Sequence, residues 1–215
     1  MPSDHNGKSK TLFLARFAML LAIEAIVCFT PLGSLPAIGP IVATLGMIPV
    51  VITAILLGVG AGTLMGFFAG LFSFIVWTFM PPSPLVAFLF TPFYKFGELG
   101  GNAWSLVICF LPRILVGTVA GLVFRALRVQ GASRGRDILT FGLSGALGSL
   151  VNTFLVLFGI YLFFGEQYAT ALGIGYQAVL AIIGTTILTS GIPEAVLAAV
   201  AAFFVCRPLL KRIQK

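Results

Sequence analysis

Six apolar runs leave this chain few folds to choose from. They fall near Thr11–Phe29, Ala43–Leu57, Ala61–Phe79, Trp104–Val123, Ile138–Phe164 and Tyr176–Val205, and all but the short second one can cross about 30 Å of hydrocarbon as a helix. Composition points the same way: 59% of the 215 residues are hydrophobic and 9% charged, against roughly 25% charged in soluble domains. The expected fold class is all-α, a polytopic integral membrane protein built as a six-transmembrane-helix bundle. It forms one membrane domain over residues 1–215, with a polar tail at 1–10 and helices at approximately 11–29, 43–57, 61–79, 104–127, 138–164 and 176–207. No small-residue cleavage site follows Ile23–Glu24–Ala25, so the first segment is expected to be retained.

Basic residues set the expected orientation, because cytoplasmic loops collect Lys and Arg. Lys8, Lys10 and Arg16 stand at the start, Arg125, Arg128, Arg134 and Arg136 between the fourth and fifth runs, and Arg207, Lys211, Arg212 and Lys215 at the end. With six spans these clusters share one side, which puts both termini in the cytoplasm of a plasma-membrane protein. The opposite loops, about 30–40, 80–101 and 165–175, hold Lys95 as their one base. The net charge of +7 then reflects this asymmetry and attraction to anionic lipid headgroups, and it makes no case for nucleic acid as a partner.

Several chemistries lack their residues. Cys28, Cys109 and Cys206 are isolated in or beside apolar runs, and His5 is the one histidine, so no metal or haem set and no His-based triad can be assembled. No GxxxxGK[ST] phosphate loop occurs, so ATP-driven work would need another chain. No cofactor and no enzymatic activity are expected. A stand-alone secondary carrier remains open, although the internal repeats usual for one are absent.

Arg113 is the most informative single residue. A charge deep in a spanning helix costs about 2.5–3.5 kcal/mol on insertion scales and needs a partner or a wet cavity. An anionic ligand is the expected partner. Pro112, just before it, should kink the helix and free a carbonyl. Asn102 and Trp104 mark the helix's outer end, so Arg113 lies roughly 15 Å down at about 1.5 Å per residue. Asn152 and Ser149 reach a comparable depth on the fifth helix, and Glu194 follows Gly191–Ile192–Pro193 in the sixth. Structural roles compete: a helix–helix hydrogen bond for Asn152, an Arg113–Glu194 ion pair for the charges. The long segment 80–101, with Phe90 and Thr91, reads equally as a lid over a pocket open to the extracellular side or as an interfacial aromatic belt. Substrate-binding candidates are therefore Arg113, Asn152, Trp104, Asn102, Ser149, Glu194, Phe90 and Thr91.

Two small-residue faces complete the reading. Gly62, Gly66 and Gly70 form a GxxxGxxxG face suited to helix packing, and Ala15, Ala18, Ala22 and Ala25 line one side of the first helix, as bundle packing or as a docking surface.

These features resemble a known family. The alanine-striped first helix, the segment Leu45–Gly46–Met47–Ile48–Pro49–Val50–Val51–Ile52 and the run Ala61–Gly62–Thr63–Leu64–Met65–Gly66–Phe67 resemble the substrate-binding S components of energy-coupling factor (ECF) vitamin transporters. Asn102–Ala103–Trp104, Pro112–Arg113–Ile114, Val151–Asn152–Thr153 and Gly191–Ile192–Pro193–Glu194 look like the pantothenate-type branch. The resemblance implies a subunit that captures a vitamin, pantothenate or else another vitamin or small carboxylate, at the outer face. It then topples and delivers the vitamin inward with a membrane scaffold subunit and two cytoplasmic ATPases. It also implies that Arg113 pairs with the pantothenate carboxylate, that Asn152 binds its amide or hydroxyls, and that Ala15, Ala18, Ala22 and Ala25 dock the scaffold.

Overall fold

Helices account for nearly everything in the computed structural model, which describes residues 4–30, 45–129 and 133–213. In chain order they are α1 (Asp4–Phe29), α2 (Met47–Leu57), α3 (Val59–Phe79), α4 (Ala103–Leu127), α5 (Arg134–Leu172), α6 (Val179–Thr186), α7 (Ile192–Ala201) and α8 (Arg207–Ile213). The last three run into one another through two π-helical stretches, Ile187–Gly191 and Ala202–Cys206. Five helical segments are long and apolar enough to cross a membrane: Lys10–Phe29, Val59–Phe79, Ala103–Leu127, Arg134–Leu172 and Tyr176–Arg212. The fold is thus all-helical and of membrane type.

The sequence-based limits shift in three places, each for a local reason. α2 has 11 residues, about 16 Å of helix, roughly half the hydrocarbon thickness. Its end is enforced by Gly58, whose φ of +97° is open to glycine but not to a side chain, so one residue joins α2 to α3. The expected start of this helix at 43, like the loop at 31–40, lies outside the described residues. α5 runs on past Phe164 through the polar Glu166–Gln167 and stops at Leu172, where left-handed Gly173 returns its N–H to Ala169 and Thr170. α1 begins at Asp4, ahead of the first apolar run.

At Gly191–Pro193, a sequence that would interrupt a regular helix, the chain widens instead of breaking. Pro193 and Pro208 each follow a π-helical stretch. A proline gives its helix no N–H and crowds the carbonyl four residues back, and the extra residue in each wide turn accommodates it. Tyr176–Arg212 therefore continues as one span.

Packing is closest between α3 and α4. The glycine face meets α4 backbone to backbone: Gly62 lies on Gly117, and a methyl on Gly66 would strike the Arg113 carbonyl. Thr63 and Thr118 share a 2.8 Å hydroxyl hydrogen bond along this seam. The small-residue motif is a packing face here, and it clamps the stretch of α4 that carries Arg113. One apolar cluster centres on α2 with Met65, Val116 and Phe141. A second gathers Trp77, Phe88, Ile108, Ile160 and Phe164 around the segment after α3. At the end of the bundle rich in arginine, Arg207 Nε donates to Asp137 Oδ2 at 2.8 Å, tying α8 to the first turn of α5.

Candidate ligand-binding site

The site is built around the proline in α4. Without an N–H, Pro112 leaves the Ile108 carbonyl without its helical donor. Arg113 answers it, Nη1 donating to Ile108 O at 2.7 Å. The side chain is 7% exposed, and its guanidinium carbon sits 5.5 Å from the Phe90 ring centroid, within cation–π range. Nε has no hydrogen-bond partner. With Nη1 committed to backbone, the guanidinium edge bearing Nε and Nη2 is the one left to bind. That edge has the geometry of a bidentate carboxylate contact.

A cavity of about 60 Å³ opens beside Arg113, lined also by Glu24, Cys28, Met47, Ser73 and Pro82. That is far below the roughly 300–1,000 Å³ of typical small-molecule pockets, so a ligand of that size has to move side chains as it enters. The lining comes from α1, α2, α3, α4 and the segment after α3, placing the cavity between several helices rather than along one.

Phe90 and Thr91 are where the long 80–101 segment turns inward. Its 3₁₀ helix Pro84–Leu89 carries Val86, Ala87, Phe88 and Leu89 with no exposure at all. Phe90 stacks on Trp77 at 4.5 Å. Thr91 Oγ1 accepts from the Thr78 hydroxyl at 2.8 Å and from the Phe93 amide at 3.3 Å, which holds the turn closed. Phe90 thus packs against the Arg113 guanidinium without lining the cavity itself, whereas Thr91 spends its oxygen on the segment's own architecture. Phe93 is 75% exposed and packs on Phe74 instead.

The N-terminal end of α4 holds Asn102 and Trp104, neither of which lines the cavity. Asn102 caps the helix: its Oδ1 accepts from Trp104 N at 2.8 Å, and its own N–H donates to Ser105 Oγ at 3.1 Å. Ser105 in turn donates to Phe88 O at 2.8 Å, which fastens the buried segment to α4. Trp104 lies flat on Phe163 with centroids 4.1 Å apart.

Asn152 and Ser149 sit on α5 at the depth of Arg113. Gly148 lies against Val116 and Ala120, and Gly159 against Ile108, which sets the antiparallel register of the pair. Asn152 Oδ1, Ser149 Oγ and Thr153 Oγ1 are all buried without a hydrogen-bond partner, so Oδ1 does not make the helix–helix bond weighed above. These groups are not among those lining the Arg113 cavity. Thr153 abuts Gly191 of the wide turn, and Glu194 lies half-buried in the first turn of α7.

Glu24 is the residue that sequence reasoning passed over. It is fully buried, Oε1 accepts from the Cys28 thiol at 3.2 Å, and Oε2 has no partner. The depth argument applied to Arg113 would have found it, since Glu24 is the acid of the first apolar run. Native interiors leave few polar atoms unpaired, each costing about 1–3 kcal/mol. Here Arg113 Nε, Glu24 Oε2, Ser149 Oγ, Asn152 Oδ1 and Thr153 Oγ1 are all so placed.

On α1 the buried face carries Phe17 and Glu24, seven residues apart. Ala15, Ala18 and Ala22 are exposed and Ala25 half-buried. The alanine face therefore turns away from α2 and α3.

Comparison with known proteins adds two findings. Residues 12–206 match the family described as ECF transporter, substrate-specific component. The chain is also 32% identical over 195 residues to the pantothenic acid transporter PanT of Lactococcus lactis subsp. cremoris (strain MG1363), covering 90% of this chain and 91% of that protein.

Proposed function

This chain belongs to the substrate-specific components of ECF transporters, and from that membership we propose that it captures pantothenate at the outer face of the plasma membrane for an ATP-driven importer. The observation that carries the reading is the Arg113 guanidinium, anchored through Nη1 and unpartnered at Nε beside a buried cavity. Pantothenate brings a carboxylate to that edge, an amide two methylenes along, and two hydroxyls toward its far end. Asn152 and Ser149, with unpaired oxygens at the same depth, are the candidates for those groups once the ligand has parted the helices. Phe90 packs against the guanidinium. Asn102, Trp104 and Thr91 serve the site indirectly, by holding the start of α4 and the buried segment in place.

In this reading five spanning segments and the short α2 make the six-helix bundle. The ends rich in arginine lie in the cytoplasm together with both termini, and the Arg113 cavity opens outward. Ala15, Ala18, Ala22 and Ala25 dock the membrane scaffold subunit, whose two ATPases supply the energy this chain has no motif to extract. A flat alanine face turned away from the bundle suits a helix partner that must come close.

The test is equilibrium binding by the purified protein in detergent, with pantothenate, its neutral amide, riboflavin and biotin in parallel. Pantothenate binding that is lost with the amide supports the proposal. Retention of another vitamin in place of pantothenate would keep the capture role and overturn the substrate. Pantothenate uptake into liposomes by this chain alone would favour a stand-alone carrier.

A further inference from the structure

Glu24 has no role in a site that reads only a carboxylate. A fully buried carboxyl group with one oxygen unpartnered is costly to keep, and it shares its cavity with an arginine whose Nε is likewise unpartnered. Cys28, four residues on, holds Oε1 and so fixes the rotamer that leaves Oε2 bare. The bundle therefore presents, within one cavity, a donor edge for an anion and an acceptor oxygen for something else. A ligand that brings a hydrogen-bond donor to Oε2 and a carboxylate to Arg113 satisfies both unpartnered groups at once.

We propose that Glu24 is a ligand-contacting, specificity-determining residue: Oε2 accepts a hydrogen bond from a hydroxyl of the bound molecule while Arg113 holds its carboxylate. The inference rests on the pantothenate reading and deepens it. The site takes monocarboxylates with a neutral, donor-bearing far end, and it disfavours analogues of similar length whose far end offers no donor, which would leave Oε2 unpaired. An acceptor that expects a donor discriminates strongly, because a ligand lacking the donor leaves the buried oxygen unpaired. α1 then has two working faces, Glu24 toward the ligand and Ala15, Ala18 and Ala22 toward the outside.

The experiment measures affinity and thermal stability of wild type, Glu24→Met and Glu24→Gln in detergent, with pantothenate and with an analogue in which the hydroxyls are replaced by hydrogen. Glu24→Met fills the same space without polar atoms, so the ligand-free protein should melt no lower than wild type. Its pantothenate affinity should fall by about 10- to 100-fold, as for a buried hydrogen bond lost with its partner left behind, while the deoxy analogue should bind wild type and Glu24→Met alike. Glu24→Gln, which keeps an acceptor oxygen, should lie between. Pantothenate affinity within about twofold of wild type in a stably folded Glu24→Met would overturn the inference and leave the pantothenate reading standing. Equal losses for pantothenate and the deoxy analogue would also overturn it, assigning Glu24 a structural role. Absence of pantothenate binding by wild type would overturn both.

Discussion

Arg113→Lys keeps a positive charge at the same depth and removes only its planar geometry. In the wild-type chain Nη1 is committed to the Ile108 carbonyl at 2.7 Å and the Nε edge is available, so one side chain satisfies the backbone and a ligand carboxylate together. A lysine ammonium at the end of a flexible stem must divide itself between the carbonyl and the carboxylate, and it cannot present two parallel donors. The loss is one hydrogen bond to a charged group, about 1.5–3 kcal/mol. That corresponds to pantothenate binding weaker by about 10- to 100-fold. The fold should tolerate the change, because a charge and a donor for Ile108 remain. Titration calorimetry in detergent measures the affinity, and the neutral amide serves as internal control: the preference for pantothenate over its amide should shrink in the variant. Binding by Arg113→Lys within about twofold of wild type would refute the bidentate assignment. An unchanged preference for the carboxylate would refute the pairing itself.

Gly66→Ala should lower the melting temperature, because the added methyl meets the Arg113 carbonyl at an overpacking cost of about 1–3 kcal/mol; Gly60→Ala, whose methyl would meet nothing, should be neutral or stabilising by up to about 1 kcal/mol. A thermal-shift comparison of the two checks this. Asn152→Leu should leave the ligand-free protein at least as stable, since it removes a buried unpaired Oδ1, yet weaken pantothenate binding by about 10-fold or more; unchanged binding would take Asn152 out of the site. Ala18→Trp and Ala22→Trp, on the exposed face of α1, should spare pantothenate binding and abolish uptake when scaffold and ATPases are reconstituted with the chain, and full uptake by both variants would remove that face from the docking surface.

The sequence by itself determined the parts of this protein that depend on local chemistry. Apolar runs of sufficient length became helices because lipid leaves the backbone no other donors and acceptors. Glycines at four-residue spacing became a close helix contact because nothing projects from that face. Pro112 freed a carbonyl because it has no N–H to give, and Arg113 follows it directly. The π-helical stretches before Pro193 and Pro208 were beyond reach, since whether a helix breaks or widens at proline depends on what packs around it. Tertiary structure alone decided how these pieces meet. Phe90 is buried and Phe93 exposed, three residues apart in the same aromatic loop, because Trp77 and Phe88 make a core for only one of them. Asn102 looked like a ligand contact and became a helix cap because the chain turns into α4 at that residue. Glu24 became part of the Arg113 cavity because α1 presents to the bundle the face opposite its alanines, so that residues 89 positions apart in the chain share one small space whose unpaired oxygen and nitrogen neither sequence neighbourhood could reveal.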